Sequence, residues 1–226
     1  MKPLDIYGTD YAASYRHLYI DHPQWEAKHR HNLTVLTGLV ATARSWLDTC
    51  CGQAWHFAHV GEAQVAKTGI DISAAQLAAA QAANPDATFI QADLQTFEFD
   101  RGFDLVTNFW GAYSYLDDEQ AIERLMRKLI RWTNTGGSVY VELITPEALA
   151  AYVDSEFSRT SGTATARRSE DFVKWSFTDP GGTHLLTSPP EEFFLDIFRP
   201  HFRDVDSRSV VTTMRQLVAT GRLEGE

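Results

Sequence analysis

Three aspartates follow short apolar runs in the first half of the chain, and their side chains could bind a nucleotide-like ligand. Asp48 lies in the run SWLDT, Asp71 ends VAKTGID, and Asp93 follows ATFIQA. Such runs predict buried strands, and the ligands of an open parallel sheet bind at the carboxyl ends of its strands. An acid about 20 residues beyond the first strand can accept both ribose hydroxyls of a nucleotide. The spacing therefore predicts one shared ligand at one edge of a sheet.

The turn after the first strand, TCCGQAW, carries two adjacent cysteines and a single glycine, where nucleotide-binding turns usually carry several glycines. Cys50 and Ala54 are small, so we expect the backbone at Gly52 to stay open to a ligand and Cys50 to adopt an ordinary φ. No metal is expected, because zinc sites space their cysteines by about two to four residues and need further ligands. We therefore interpret the two thiols as incidental to the turn.

Amphipathic segments alternate with the apolar runs, which is typical of a parallel sheet covered by helices on both faces. We predict helices at 9–20, 23–43, 74–83, 117–132 and 189–202. We predict strands at 45–49, 65–71, 87–92, 103–110, 138–144, 204–211 and 214–220, and a hairpin at 171–187. The segment from Asn134 to Gly137 is predicted to be the turn that closes the helix before it.

The composition limits the partners of the chain. Its formal net charge is -10 and its pI is about 5.2, whereas nucleic-acid binders usually present a basic face. No segment approaches the ~20 apolar residues of a membrane span, and the first ten residues lack the apolar core of a signal peptide. We therefore expect a cytoplasmic monomer or homodimer with a small-molecule partner, and neither a nucleic-acid nor a membrane partner.

Taken in order, the motifs resemble those of the class I S-adenosylmethionine-dependent methyltransferases over about residues 45–144. DTCCGQA is similar to the first motif, GIDIS and QADL to the second and third, FDLVTNFWGAYSYL to the strand-four segment, and NTGGSVYVEL to the turn into strand five. The resemblance implies S-adenosylmethionine as the methyl donor, S-adenosylhomocysteine as the product, and no metal. The cofactor-binding residues that it implies are Tyr15, Asp48, Cys50, Gly52, Asp71, Ile72, Asp93, Leu94 and Asn108.

The resemblance also implies individual roles and an architecture. Asp71 would hold the ribose, Asp93 the adenine amino group, and Tyr15 the methionine part of the donor. The implied fold is α/β: a doubly wound, mostly parallel seven-stranded sheet with an antiparallel last strand. We divide the chain, as one domain, into N-terminal lid helices, a cofactor-binding core, a hairpin insertion over the acceptor site, and a final helix with two strands. These parts are residues 1–43, 44–150, 151–190 and 191–226.

Aromatic residues after the fourth strand and in the N-terminal segment predict the acceptor pocket, because aromatic faces attract a sulfonium and stack on flat acceptors. The predicted substrate-binding residues are Tyr11, Trp110, Tyr113 and His184, the last as a base or a positioning group. The parts beyond strand five are similar to those of the aminosugar and antibiotic-tailoring N-methyltransferases. This similarity implies methyl transfer to a nitrogen of a small metabolite, such as an aminosugar or a planar heterocycle.

Three alternatives stay open on the sequence. The acceptor atom could be an oxygen, or the chain could bind S-adenosylmethionine without catalysing methyl transfer. A third alternative is an NAD-dependent oxidoreductase on a similar sheet. In such an enzyme the third glycine of the turn should open a helix, whereas here Trp55 follows Ala54, so we disfavour it.

Overall fold

The computed structural model describes residues 7–60, 64–148, 164–169, 172–209 and 214–224, which form a seven-stranded and a three-stranded sheet with helices around them. The strands are β1 Ser45–Thr49, β2 Ala66–Asp71, β3 Thr88–Gln91, β4 Phe103–Asn108, β5 Thr133–Leu143, β6 Ala164–Ser169, β7 Phe172–Asp179, β8 Gly182–Ser188, β9 Phe202–Ser209 and β10 Arg215–Arg222. The helices are α1 Thr9–Tyr15, α2 Glu26–Val40, α3 Trp55–His59, α4 Ala74–Ala83, α5 Glu119–Arg131 and α6 Glu191–Phe198.

The larger sheet has the strand order β3-β2-β1-β4-β5-β10-β9. β1 pairs in parallel with β2 and β4, and β3 and β5 extend the parallel set on either side. β10 is antiparallel to both of its neighbours, β5 and β9. The predicted fold class is therefore confirmed. The strand order reverses between β1 and β4, so a crevice is expected beyond the carboxyl ends of these two strands.

The core lies on both faces of this sheet, because successive strand residues point to opposite sides. Leu47 belongs to the cluster under α5 and α6, whereas its neighbour Trp46 belongs to the cluster under α2 and α4. Two helices begin at capping side chains. Ser73 Oγ accepts a hydrogen bond from Gln76 N at 3.2 Å in α4, and Asp118 caps α5 in the same way. These caps fix where each helix leaves the carboxyl end of a strand.

The predicted turn from Asn134 to Gly137 is wrong, because these residues lie inside β5, which already begins at Thr133. Thr133 pairs with Phe103, and the register then shifts before Leu105 pairs with Ser138. Gly136 adopts a φ of +79° at this irregularity. The glycines therefore allow a bulge within a strand, a conformation that their types alone do not distinguish from a helix-ending turn.

The predicted hairpin is part of a three-stranded sheet with the order β6-β7-β8. β7 and β8 form the hairpin around Pro180 and Gly181, with Asp179 paired to Gly182. β6 pairs with the outer edge of β7, and its sequence ATARRS lacks the apolar alternation that predicts a strand. Residues 151–163 of the predicted insertion lie outside the described residues.

The two predicted N-terminal helical segments are present, but only part of each is α-helix. The first runs as α1 to Tyr15 and then continues as a π-helical turn over Arg16–Ile20. The second begins with a 3₁₀ turn at Pro23–Trp25 and ends as α2 at Val40. This segment brings aromatic side chains to the larger sheet, where Trp25 packs edge-on against Trp110 with ring centroids 5.0 Å apart.

Candidate functional site

A cavity of about 850 Å³ opens at the carboxyl ends of β1 to β4. Its wall on the strand side comes from the turn after β1 and from the residues that follow β2 and β3. The opposite wall comes from the N-terminal segment, the 3₁₀ turn Ala112–Tyr115 and the three-stranded sheet. The cavity therefore lies where ligands of open α/β sheets bind.

The turn after β1 has an alternating left-handed backbone. Cys50, Gly52 and Ala54 have φ values of +53°, +51° and +50°. The expectation of an ordinary φ at Cys50 is therefore wrong. Glycine adopts the left-handed region without penalty, whereas other residues lose about 1–2 kcal/mol there. The turn therefore has a glycine-type conformation at two non-glycine positions in spite of that cost. Burial raises the pKa of the Cys50 thiol, which keeps it protonated.

Asp71 holds this turn in place from the end of β2. Its Oδ2 accepts a hydrogen bond from Gly52 N and its Oδ1 accepts one from Ser73 N, both at 2.9 Å. Burial raises the pKa of the Asp71 carboxyl, and the backbone donors at Ser73, Gly52 and Ile72 oppose that rise. Asp71 also lines the cavity, and each carboxylate oxygen keeps acceptor capacity for a ligand.

The segment after β3 forms the next part of the wall. Ile72, Asp93 and Leu94 line the cavity, as do Cys50 and Gly52. Asp93 Oδ1 accepts a hydrogen bond from Gln95 N at 2.8 Å. The segment is held by Lys128 of α5, which also lines the cavity and whose Nζ donates to the carbonyl oxygens of Leu94, Gln95 and Phe97. Lys128 was missed in the sequence because its spacing only marks it as one residue of an amphipathic helix.

Two predicted cofactor residues lie behind the wall. Asp48 is 1% exposed and accepts a hydrogen bond from Thr107 Oγ1 at 2.8 Å. Burial raises its pKa well above the ordinary value. Asn108 is fully buried and donates to Thr49 O and Thr49 Oγ1. Both side chains hydrogen-bond to neighbouring strand residues and neither lines the described cavity, so their contact with a cofactor stays a prediction.

The opposite wall is aromatic. Tyr7, Tyr15 and Tyr19 line it from the N-terminal segment, and Trp110 and Tyr115 line it after β4. The predicted position of Tyr15 on the cavity therefore agrees with its location in the structure. Burial raises the pKa of the Tyr15 hydroxyl, and the Asp71 carboxylate adds to that rise, which indicates that this phenol faces the acidic strand ends.

Three predicted acceptor residues do not line the described cavity. Tyr113 is fully buried, and its hydroxyl accepts a hydrogen bond from Ile144 N at 2.9 Å. Tyr11 is buried and donates its hydroxyl hydrogen to Asp179. His184 is also fully buried, stacked on Phe177. The described cavity gives no support for direct contact of these three side chains with a substrate. Of the two tyrosines in the 3₁₀ turn, Tyr115 is the one that lines the cavity.

A buried ion pair supports the aromatic wall, and no sequence motif indicates it. Lys28 Nζ lies 2.7 Å from Glu142 Oε1, with both side chains 1% exposed. Glu142 Oε2 accepts a hydrogen bond from Trp110 N at 2.6 Å, and Lys28 Nζ lies 3.7 Å from the Trp110 ring centroid. Burial lowers the pKa of Lys28, and Glu142 opposes that change. The pair therefore holds Trp110 in its left-handed backbone conformation, with a φ of +59°.

The comparisons with known proteins agree with this geometry. Residues 47–137 match the family model described as a methyltransferase domain. The resemblance to the class I S-adenosylmethionine-dependent methyltransferases is thus confirmed over this stretch, where the chain is similar to a methyltransferase domain. One curated relative is the dTDP-3-amino-3,6-dideoxy-alpha-D-glucopyranose N,N-dimethyltransferase of Streptomyces fradiae, 28% identical over 139 residues. That match covers 59% of this chain and 54% of the relative, so it spans about half of the relative's length.

Solved structures show the same fold. The sugar N-methyltransferase KedS8 from Streptoalloteichus sp. superposes with a TM-score of 0.66 and 21% identity, covering 95% of this chain and 93% of that one. DesVI from Streptomyces venezuelae gives a TM-score of 0.69 and 21% identity, covering 95% and 99%. At these identities the likeness supports the fold, and it extends from the described N-terminal helices to the last strands.

The structure bears on three further expectations, which concern a metal site, a membrane span and the oxidoreductase alternative. The described residues contain no group of three or more His, Cys, Asp or Glu side chains that could hold a metal ion. None of the helices in that part of the chain has the length and apolarity to span a membrane. The argument from Trp55 against an oxidoreductase was wrong, because α3 does begin at Trp55. The domain match and the antiparallel β10 disfavour that class instead.

Proposed function

We propose that this chain transfers a methyl group from S-adenosylmethionine to a nitrogen of a small metabolite, and that the metabolite is an aminosugar. One observation carries the proposal. A single cavity joins acidic strand ends, which suit a nucleoside, to an aromatic wall, which suits a sulfonium and an amine. The names of the Streptomyces fradiae relative and of KedS8, both acting on sugar nitrogens, support the choice of acceptor. The cytoplasmic location and the monomeric or dimeric state stay predictions.

The strand ends fit the donor. Asp71 presents a carboxylate that is already fixed by two backbone donors, so it needs little reordering to accept two ribose hydroxyls. The left-handed turn leaves open space at Gly52, where an added Cβ would have no atom within 4 Å. When bound, S-adenosylmethionine supplies an electrophilic methyl group on a positively charged sulfur.

The chain's own part in the reaction is to position the acceptor and to exclude water. In-line displacement depends on alignment of the attacking nitrogen, and an enclosed site removes the water that would compete for that nitrogen. Tyr15, Tyr19 and Trp110 line this part of the cavity with aromatic rings. A cationic sulfur is also attracted to such faces.

Calorimetric titration with S-adenosylmethionine tests whether the chain binds the proposed methyl donor. We expect saturable binding in the micromolar range, and competition by S-adenosylhomocysteine. Absence of binding at high micromolar concentration would contradict both a methyltransferase and a non-catalytic binding protein. Binding without methylation of any amine or hydroxyl acceptor would instead favour the non-catalytic alternative.

Substitution of Gly52 provides a prediction with an internal control. Gly52→Ala and Gly136→Ala both place alanine at a positive φ with open space around the new Cβ. Each variant is expected to lose about 1 kcal/mol of unfolding free energy in urea denaturation. Only Gly52 lines the cavity, so only Gly52→Ala should weaken S-adenosylmethionine binding about tenfold, since a steric misfit costs about 1–3 kcal/mol. Equal donor affinity in the two variants would show that Gly52 does not face the ligand.

A further inference from the structure

A chain of hydrogen bonds leads from the aromatic wall into the three-stranded sheet. Tyr115 lines the cavity, and its hydroxyl lies 2.8 Å from the Tyr7 hydroxyl and 2.5 Å from His184 Nδ1. His184 Nε2 lies 3.0 Å from Asp179 Oδ1. His184 itself is 0% exposed, so it reaches the cavity only through Tyr115. The three residues therefore connect a ligand-facing hydroxyl to a buried carboxylate.

The environment of Asp179 fixes the direction of these hydrogen bonds. Asp179 accepts from the hydroxyls of Tyr11 and Tyr19 and from the backbone N–H of Gly181. Burial alone would raise the pKa of Asp179, but the hydrogen bonds from His184, Tyr11 and Tyr19 lower it below its ordinary value. The carboxylate is therefore ionised and accepts the hydrogen on Nε2 of His184. With the Nε2 hydrogen directed at Asp179, Nδ1 can accept the hydrogen of the Tyr115 hydroxyl.

The Tyr115 oxygen keeps acceptor capacity toward the cavity. A phenol oxygen donates one hydrogen bond and accepts two, and Tyr7 supplies one of the hydrogen bonds that it accepts. No other described residue hydrogen-bonds to this oxygen, so its remaining lone pair can accept a hydrogen from a ligand. Burial raises the pKa of Tyr115, so this hydroxyl stays protonated at neutral pH. It is therefore suited to pass a proton on, and not to act as a stored phenolate.

We propose that Tyr115 is a catalytic residue that takes a proton from the acceptor ammonium while its own proton moves to Nδ1 of His184, with Asp179 as the counter-charge. This inference rests on the proposed function. The ammonium N–H bond and the Tyr115 O–H bond break as the new O–H and Nδ1–H bonds form. The freed nitrogen lone pair forms the N–C bond while the S–C bond breaks, and S-adenosylhomocysteine leaves. The proton on His184 returns to water through the same hydroxyl.

Removal of a proton by Tyr115 supplies the nitrogen lone pair that methyl transfer needs. An amine is protonated at neutral pH, and an ammonium nitrogen has no lone pair with which to attack the methyl group. The titratable groups around Tyr115 and His184 are Tyr7, Tyr11 and Tyr15 from the N-terminal segment and Asp179 from the end of β7. Asp179 alone among them is ionised at neutral pH, so it determines where the proton settles.

The test compares pH profiles of four proteins: the wild type, Tyr115→Phe, His184→Asn and Tyr113→Phe. The amine probe is dTDP-3-amino-3,6-dideoxy-α-D-glucopyranose, with S-adenosylmethionine as donor. We expect Tyr115→Phe to lower kcat about 100-fold at about pH 7 and less than about tenfold at about pH 9.5, where the probe is increasingly a free amine. His184→Asn should lower kcat by similar factors at the two pH values. Donor affinity from calorimetry should stay within about threefold in both variants, because neither side chain contacts the strand ends.

Tyr113→Phe is the matched control, because it removes a buried hydroxyl from the same turn that does not line the cavity. Its effect on kcat should be small and equal at both pH values. An active wild type in which Tyr115→Phe and His184→Asn lose the same factor at both pH values would overturn the relay and leave the proposed function intact. A wild type that binds the donor but methylates no amine would overturn both.

Discussion

Replacing Asp71 with alanine is expected to weaken S-adenosylmethionine binding more than 100-fold. The variant loses the proposed bonds to two ribose hydroxyls, and charge-assisted hydrogen bonds are each worth about 1.5–3 kcal/mol, so ~3 kcal/mol or more disappears. It also frees Gly52 N, which Asp71 Oδ2 now holds at 2.9 Å, so the left-handed turn loses its anchor. Both effects act on donor affinity in the same direction.

Calorimetry with S-adenosylmethionine measures this change. Asp86→Ala is the matched control, because Asp86 is an exposed aspartate in the turn before β3 and does not line the described cavity. Donor affinity of the control should equal that of the wild type. An Asp71→Ala protein that folds and binds the donor as tightly as the wild type would contradict the ribose assignment.

Substituting Glu142 with glutamine is expected to cost about 3–5 kcal/mol of unfolding free energy. The change leaves the Lys28 ammonium buried without its counter-ion, and breaking one side of a buried ion pair has a cost of that size. It also perturbs the acceptor of Trp110 N, which keeps that residue at a positive φ on the cavity wall. We therefore expect a less stable protein whose aromatic wall is also displaced.

Urea denaturation of single and double variants separates these effects. Lys28→Met/Glu142→Gln should be more stable than the sum of the two single changes predicts, because the double variant leaves no unpaired buried charge. Glu123→Gln serves as the control, since it breaks an exposed i,i+4 pair with Arg127 that should contribute less than about 1 kcal/mol. Additive losses at Lys28 and Glu142 would show that the two charges do not interact as the structure indicates.

The strand ends were predictable because they depend on local pattern. Asp71 and Asp93 follow apolar runs, and the topology of a parallel sheet brings such positions to one edge. Asp48 obeys the same pattern but lies one residue before the end of β1, so its side chain points into the layer beside the sheet and meets Thr107. A shift of one residue along a strand reverses the direction of a side chain, and the apolar pattern does not locate a strand end that finely.

The composition of the aromatic wall was predictable, but the residues that face the cavity were not. The run VTNFWGAYSYL indicates aromatic residues beyond β4, but it does not show which ring of a tight turn faces the cavity. That choice depends on Trp110 and Gly111, which both adopt positive φ values before the 3₁₀ turn. His184 was recognised as a candidate base, and its partners come from segments 69 residues away at Tyr115 and five residues away at Asp179. The long-range pair with Tyr115 is not visible in one sequence.

The conformation of the turn after β1 was predicted wrongly because residue type was taken to determine φ. Cys50 and Ala54 are small but are not glycines, and yet both adopt the left-handed region. Hydrogen bonds from Cys51 N to Ile70 O and from Gly52 N to Asp71 Oδ2 fix the turn from the neighbouring strand. Tertiary contacts of this kind can outweigh a local preference of about 1–2 kcal/mol.

Mass spectrometry of the products shows directly whether the chain transfers a methyl group from S-adenosylmethionine to the nitrogen of a small acceptor. The purified chain would be incubated with methyl-labelled S-adenosylmethionine and a panel of amine-bearing and hydroxyl-bearing sugars and planar heterocycles. We expect a labelled methyl group on the nitrogen of an amine-bearing sugar, together with S-adenosylhomocysteine, and no labelled product with Asp71→Ala. Label found only on oxygen, or donor binding with no labelled product across the panel, would contradict methyl transfer to nitrogen.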